Sequence, residues 1–138
     1  MSQVKNMKET FRGATAFDQM LNAWDVSQVT TLRDIFNQAS AYNQALSSWQ
    51  VGNVTDMYSA FSASSNFDQP IGAWDTSKVT NMGPMFYQCY AFNQMIGTWN
   101  TGQVTDMRQM FRKVSSLTRR DSQHTTSANS FEDSLCDT

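Results

Sequence analysis

Charge is scarce in this chain: Asp, Glu, Lys and Arg make up 16% of its 138 residues, against roughly 25% in soluble proteins generally. Ser, Thr, Asn and Gln must therefore carry the polar surface. The formal net charge of −2 and a pI near 5.1 supply no field that would gather nucleic acid or anionic lipid. Two cysteines, Cys89 and Cys136, are too few and too far apart for a disulfide framework or a four-ligand zinc site, and no metal or cofactor is expected. No stretch approaches the roughly 18 apolar residues of a membrane span, and Met1-Ser2-Gln3-Val4 lacks the apolar core of a signal peptide. A Ser-His-Asp or Cys-His arrangement would have to draw on His124, the single histidine, far towards the C terminus. "VGNVTD" at 51–56 lacks both the spacing and the lysine of a phosphate-binding loop. The expectation is a chain without catalytic residues.

What is abundant is repetition. Trp24, Trp49, Trp74 and Trp99 recur every 25 residues, as do Val29, Val54, Val79 and Val104, the threonines that follow them, and Phe17, Tyr42, Phe67 and Phe92. A fixed period of this length marks a solenoid or another repeat array. Val4, Met7, Phe11 and Ala14 fall in the slots of Val29, Leu32, Phe36 and Ala39, so the chain opens halfway through a unit. The organisation expected is a solenoid over residues 1–117, with a half repeat at 1–16 and repeats starting at 17, 42, 67 and 92. A polar tail follows at 118–138, read as disordered, or as a cap if Phe131 and Leu135 fold over the last repeat.

Two periodicities alternate within each unit. Leu21, Trp24, Val26 and Val29 define L-x-x-W-x-V-x-x-V, which suits a short strand. Leu32, Ile35, Phe36 and Ala39 then sit at i, i+3, i+4 and i+7, one face of a short helix. Thr31, Asp56, Asn81 and Asp106 are the expected N-caps, which puts Pro84 at N3, inside the first turn where its missing N–H breaks no bond. A single unit offers too little apolar surface to offset the ordering of its backbone, so stability must come from stacking on neighbours.

Several polar positions invite a chemical reading. Asp25 and Asp75 share an outward column two repeats apart, about 10 Å at the usual strand spacing. That is slightly wider than the roughly 6.5–9.5 Å of inverting glycosidases, and a solvated face is the expectation. Asp18, Asn43, Asp68 and Asn93 could suggest stacked calcium turns, but half are neutral amides, and backbone satisfaction is expected instead. Cys89 shares the helix column of Ala39 and Ser64 and reads as a core packing residue. Asn53-Val54-Thr55 is a glycosylation sequon whose Val54 should point inward. Arg108, Arg112, Lys113, Arg119 and Arg120 make the last repeat locally basic, read as a solvated face.

The outward strand positions remain: Ala23, Asp25 and Ser27, then Ser48, Gln50 and Gly52, then Ala73, Asp75 and Ser77, then Thr98, Asn100 and Gly102. They should form a low-relief face suited to an extended partner, and they are the candidate ligand-binding residues.

L-x-x-W-x-V followed by a helical pattern has the skeleton of a leucine-rich repeat, with Trp in place of the second leucine. The full phrase, carried by Phe92-Asn93-Gln94, Ile96, Trp99-Asn100-Thr101, Val104-Thr105-Asp106-Met107 and Met110-Phe111, resembles the BspA-type leucine-rich-repeat surface proteins, which include mycoplasma lipoproteins of unassigned function. The resemblance implies an α/β solenoid of short parallel strands and short helices, one coil per 25 residues. It also implies an extracellular or cell-surface, non-enzymatic module that binds a protein or glycan of a cell surface or matrix. A spacer in a longer surface array is the alternative. An ordered-surface binder such as an ice-binding protein is a weaker one, resting on the single column Thr30, Thr55, Thr80, Thr105.

Overall fold

The computed structural model describes residues 3–115. Parallel bridges join Asn6 to Thr31, Thr31 to Asp56, Asp56 to Asn81 and Asn81 to Asp106. Every step is one sequence period, so the chain climbs one coil per repeat.

The coil is not built as the periodicities predict. Among the described residues there is no α-helix, and β-pairing is confined to those isolated bridges, so the expected α/β solenoid of strands and helices is replaced by a stack of turns. In the segment expected to be helical, Leu32, Ile35, Phe36 and Ala39 are all buried. Their backbone nevertheless bonds in another pattern. Ile35, Asn37 and Ala39 donate three residues back, to Leu32, Asp34 and Phe36, at 3.1, 3.2 and 2.9 Å. Leu32, Asp34, Phe36 and Gln38 donate across to Asp56, Tyr58, Ala60 and Ser62 of the next coil at 2.8–2.9 Å.

Half of the N–H groups thus close turns and half tie coils together. An eight-residue helix would instead leave most of its terminal groups without intrahelical partners and would offer nothing to its neighbours. The turn ladder requires left-handed residues at every fourth position. Asp34 (φ 53°) and Gln38 (φ 63°) supply them, with Glu9, Ser59 and Gln109 in the first column and Gly13, Ala63, Gln88 and Lys113 in the second.

The expected N-caps do accept a backbone N–H, from the residue two ahead. Thr31 takes Arg33, Asp56 takes Tyr58, Asn81 takes Gly83 and Asp106 takes Arg108, at 2.9–3.2 Å. They open turns, not helices. Pro84 is correspondingly not at the N3 position of a helix. It occupies the first left-handed column, where its ring forbids positive φ.

The Trp-bearing half of each coil is not a strand either. Turns at 22–23 and 27–28 bend it, with Trp24 N–H on Leu21 and Val29 N–H on Val26, both at 2.9 Å. Equivalent rings in successive coils lie nearly parallel, and their centroid separation differs between columns. It is 5.4–5.8 Å along Phe11, Phe36, Phe61, Phe86 and Phe111. It is 5.8–6.2 Å along Phe17, Tyr42, Phe67 and Phe92, and 6.4 Å from Trp49 to Trp74 and from Trp74 to Trp99. The backbone bridges lie beside the ladder half, and at the indoles the described backbone bonds close local turns instead of joining coils.

Side chains join the coils in this half. The indole N–H groups of Trp49, Trp74 and Trp99 donate to Leu21, Leu46 and Ile71 of the previous coil at 2.9, 3.1 and 3.0 Å. Asn43, Asp68 and Asn93 each donate a backbone N–H to the side-chain oxygen of Asp18, Asn43 and Asp68, all at 2.9 Å. Trp24 leaves the file: it is 45% exposed and leans on Phe11 at 5.8 Å, tilted by 42°.

Candidate functional site

The twelve outward residues of the Trp half-coils come out on one side, all exposed or half-buried. Eight of them sit on turns and Asp25, Gln50, Asp75 and Asn100 lie between turns, which corrects the flat strand face expected from the sequence. Asp25 accepts the Ser27 N–H at 3.1 Å and its hydroxyl at 2.6 Å. Asp75 accepts the Ser77 N–H at 3.0 Å, and Asn100 the Gly102 N–H at 3.0 Å. These side chains hold their own turns. The Ser77 hydroxyl and N–H, with Lys78 nearby, keep the Asp75 carboxyl below the usual carboxylate range. A side chain at Gly52 would meet Asp75 Oδ2 at 3.1 Å, so the missing Cβ leaves room for that carboxylate. Gln50 makes only a long 3.5 Å contact to Ser48 O, and Ala23 and Ala73 carry nothing polar. The face thus carries mostly small side chains, and many of its polar groups are engaged in hydrogen bonds within the chain.

Cys89 is buried, its Sγ donating to Ser64 O at 3.0 Å, and burial pushes the thiol up, with the Asp68 charge adding to it. That is the opposite of an activated nucleophile. Asp25 and Asp75 stand two coils apart, and each accepts from the serine two residues on in its own turn. Asn53 is exposed, but its amide nitrogen donates to Ser27 O at 2.9 Å and its Oδ1 accepts from Lys78 at 2.7 Å. Val54 behind it is buried. The Oγ1 atoms of Thr30, Thr55, Thr80 and Thr105 donate to carbonyls one coil back at 3.1–3.3 Å. Arg108 is paired with Asp106, Nε to Oδ1 at 3.0 Å and Nη2 to Oδ2 at 3.1 Å. Arg119, Arg120, His124, Phe131, Leu135 and Cys136 lie outside the described residues.

Among the described residues no group of three or more His, Cys, Asp or Glu stands close enough to hold a metal ion. No helix among them is long and apolar enough to cross a membrane. The sequence reading missed the indole N–H as a clamp between coils. Its signal was available: a column that repeats Trp, where Leu or Phe would fill the same core, asks for a donor as well as a ring.

A family model described as "Mycoplasma protein of unknown function, DUF285" matches residues 1–71 and again 51–135. The chain belongs to that family. The two DUF285 matches begin two coils apart, as a repeated unit requires, and the second runs past Thr118, where the 25-residue register stops. No curated protein and no solved structure matches the chain.

Proposed function

We propose that this DUF285 chain is a non-enzymatic recognition module that binds a protein or glycan of a cell surface or matrix through the outward face of its Trp half-coils. The finer kinship to BspA-type surface proteins, and with it an extracellular or cell-surface location, belongs to this reading. The observation that supports it is the face itself. Ala23, Gln50, Ala73 and Asn100 recur on successive coils, exposed, on a backbone clamped by indole bonds beneath and side-chain-closed turns above. Such a surface loses little entropy when a partner settles on it.

Glycan and matrix-protein arrays probed with the whole chain test the reading. Alanine at Asp25, Asp75 or Asn100 would also loosen turns, so the better disruption is Ala23→Arg, Gln50→Arg and Ala73→Arg together. The triple variant should melt at the wild-type temperature and lose array binding. Undiminished binding would remove the face from consideration, and a chain that binds nothing on either array would favour the spacer.

A further inference from the structure

The turn ladder has one fault. Rungs run from Met7, Glu9, Phe11 and Gly13 to Thr31, Arg33, Ile35 and Asn37, and from Leu32, Asp34, Phe36 and Gln38 to Asp56, Tyr58, Ala60 and Ser62. The next interface keeps Met57 to Asn81, Phe61 to Met85 and Ala63 to Tyr87, without a rung from Ser59 to Gly83 among the described residues. The one after keeps Met82 to Asp106, Phe86 to Met110 and Gln88 to Arg112, while Pro84 has no N–H for Arg108. Two adjacent rungs are therefore missing. Where they are missing, a cleft of about 220 Å³ opens between coils, lined by Tyr58, Pro84, Asp106, Arg108 and Gln109.

We propose that this cleft is a binding subsite for one neutral sugar unit. Its volume suits a single pyranose ring. Its charge is internally balanced, because both oxygens of Asp106 face Arg108, so neither a phosphate nor an ammonium finds an unmatched counter-charge. The pair still presents acceptor lone pairs on Asp106 beside the remaining N–H groups of Arg108, and a vicinal diol offers the complementary donor and acceptor. The Gln109 amide and the Tyr58 hydroxyl add polar groups of either kind. The Pro84 ring gives the apolar patch that the C–H face of a sugar requires. Tyr58 is packed closely: Arg33 lies over its ring at 4.1 Å, and a Cβ at Gly83 would come within 2.9 Å of its Cδ2. The cleft lies away from the Trp half-coils and stands or falls separately from the face proposed above.

The test uses the ¹⁵N-labelled chain titrated with the methyl glycosides of glucose, galactose, mannose and N-acetylglucosamine, and in parallel with sodium acetate and inorganic phosphate. At least one glycoside should shift the amides of Gly83, Arg108 and Gln109 in a saturable way, and the two anions should not. Asp106→Asn keeps the turn, as Asn81 does in the same column, but removes the carboxylate, and Tyr58→Phe removes only the hydroxyl. Each should weaken the titration about tenfold without changing the melting temperature. Shifts produced by acetate or phosphate, glycoside shifts confined to the Trp half-coils, no saturable shift with any glycoside, or full affinity in both variants would each overturn the proposal. Glycoside shifts at Gln50 and Asn100 alone would support the outward face while removing this cleft.

Discussion

Tyr42 stands where Phe17, Phe67 and Phe92 stand in the other coils, and its hydroxyl is buried without a hydrogen-bond partner among the described residues. An unsatisfied buried hydroxyl costs about 1–3 kcal/mol. Tyr42→Phe should therefore raise stability by about 1 kcal/mol in a denaturant melt, against the usual cost of a core substitution. Cys89 gives a pH dependence. Burial first, and then the Asp68 charge, hold its thiol above the ordinary value of 9.0, so the folded state stays protonated where the unfolded chain ionises. The stabilisation is complete below pH 9.0 and is lost as pH rises above it, by up to about 1.4 kcal/mol per pH unit. Tyr42, raised mainly by burial, adds to the loss above its own ordinary value of 10.0. Cys89→Ser, with the hydroxyl that Ser64 already uses in that column, should delay the alkaline loss of stability to the tyrosine range. Unchanged onset would mean that the thiol is not the group responsible.

At the scale of the element, the turn ladder depends on its left-handed columns. Gln38 holds φ 63°, a conformation costing a non-glycine residue about 1–2 kcal/mol. Gln38→Gly should stabilise by up to about 1 kcal/mol, whereas Gln38→Val should destabilise by more than that, since a β-branched residue is strained there. An α-helix at 32–39 would reverse the sign of the glycine result. Pro84→Ser restores an N–H to the faulted column and should slow hydrogen exchange at the Ser59 amide as the coils close. The apolar half of this architecture was legible in the sequence: Leu32, Ile35, Phe36 and Ala39 do form the inward stripe, and Thr31 and Asp56 do accept backbone N–H groups. The helix was not there because spacing at i, i+3, i+4 and i+7 records which side chains face inward and is silent on where each N–H goes. Asp34 and Gln38, as non-glycine left-handed residues, gave no warning. Of the candidate face, the exposure of Asp25, Gln50, Asp75 and Asn100 was legible in the alternation with Trp and Val, but not the turns that occupy three of them.

At the scale of the molecule, the coils form a stack, bonded backbone to backbone along the bridges and side chain to backbone along the indoles. The aromatic file links every interface: Phe11, Phe36, Phe61, Phe86 and Phe111 stack one on the next, and the first four also lie flat on the aromatic six residues on, as Phe36 on Tyr42 and Phe61 on Phe67, both at 4.1 Å. Trp74 is the middle of the Trp49–Trp74–Trp99 stack. Trp74→Phe removes its bond to Leu46 and half of two stacking contacts, and should cost about 2 kcal/mol in a single cooperative transition. The most direct measurement of the whole account is the NMR scalar coupling transmitted through a hydrogen bond from the Phe36 amide nitrogen. The turn ladder predicts that it connects to the carbonyl carbon of Ala60, one coil away. A coupling to the carbonyl of Leu32 would mean that the segment is a helix, and would contradict it.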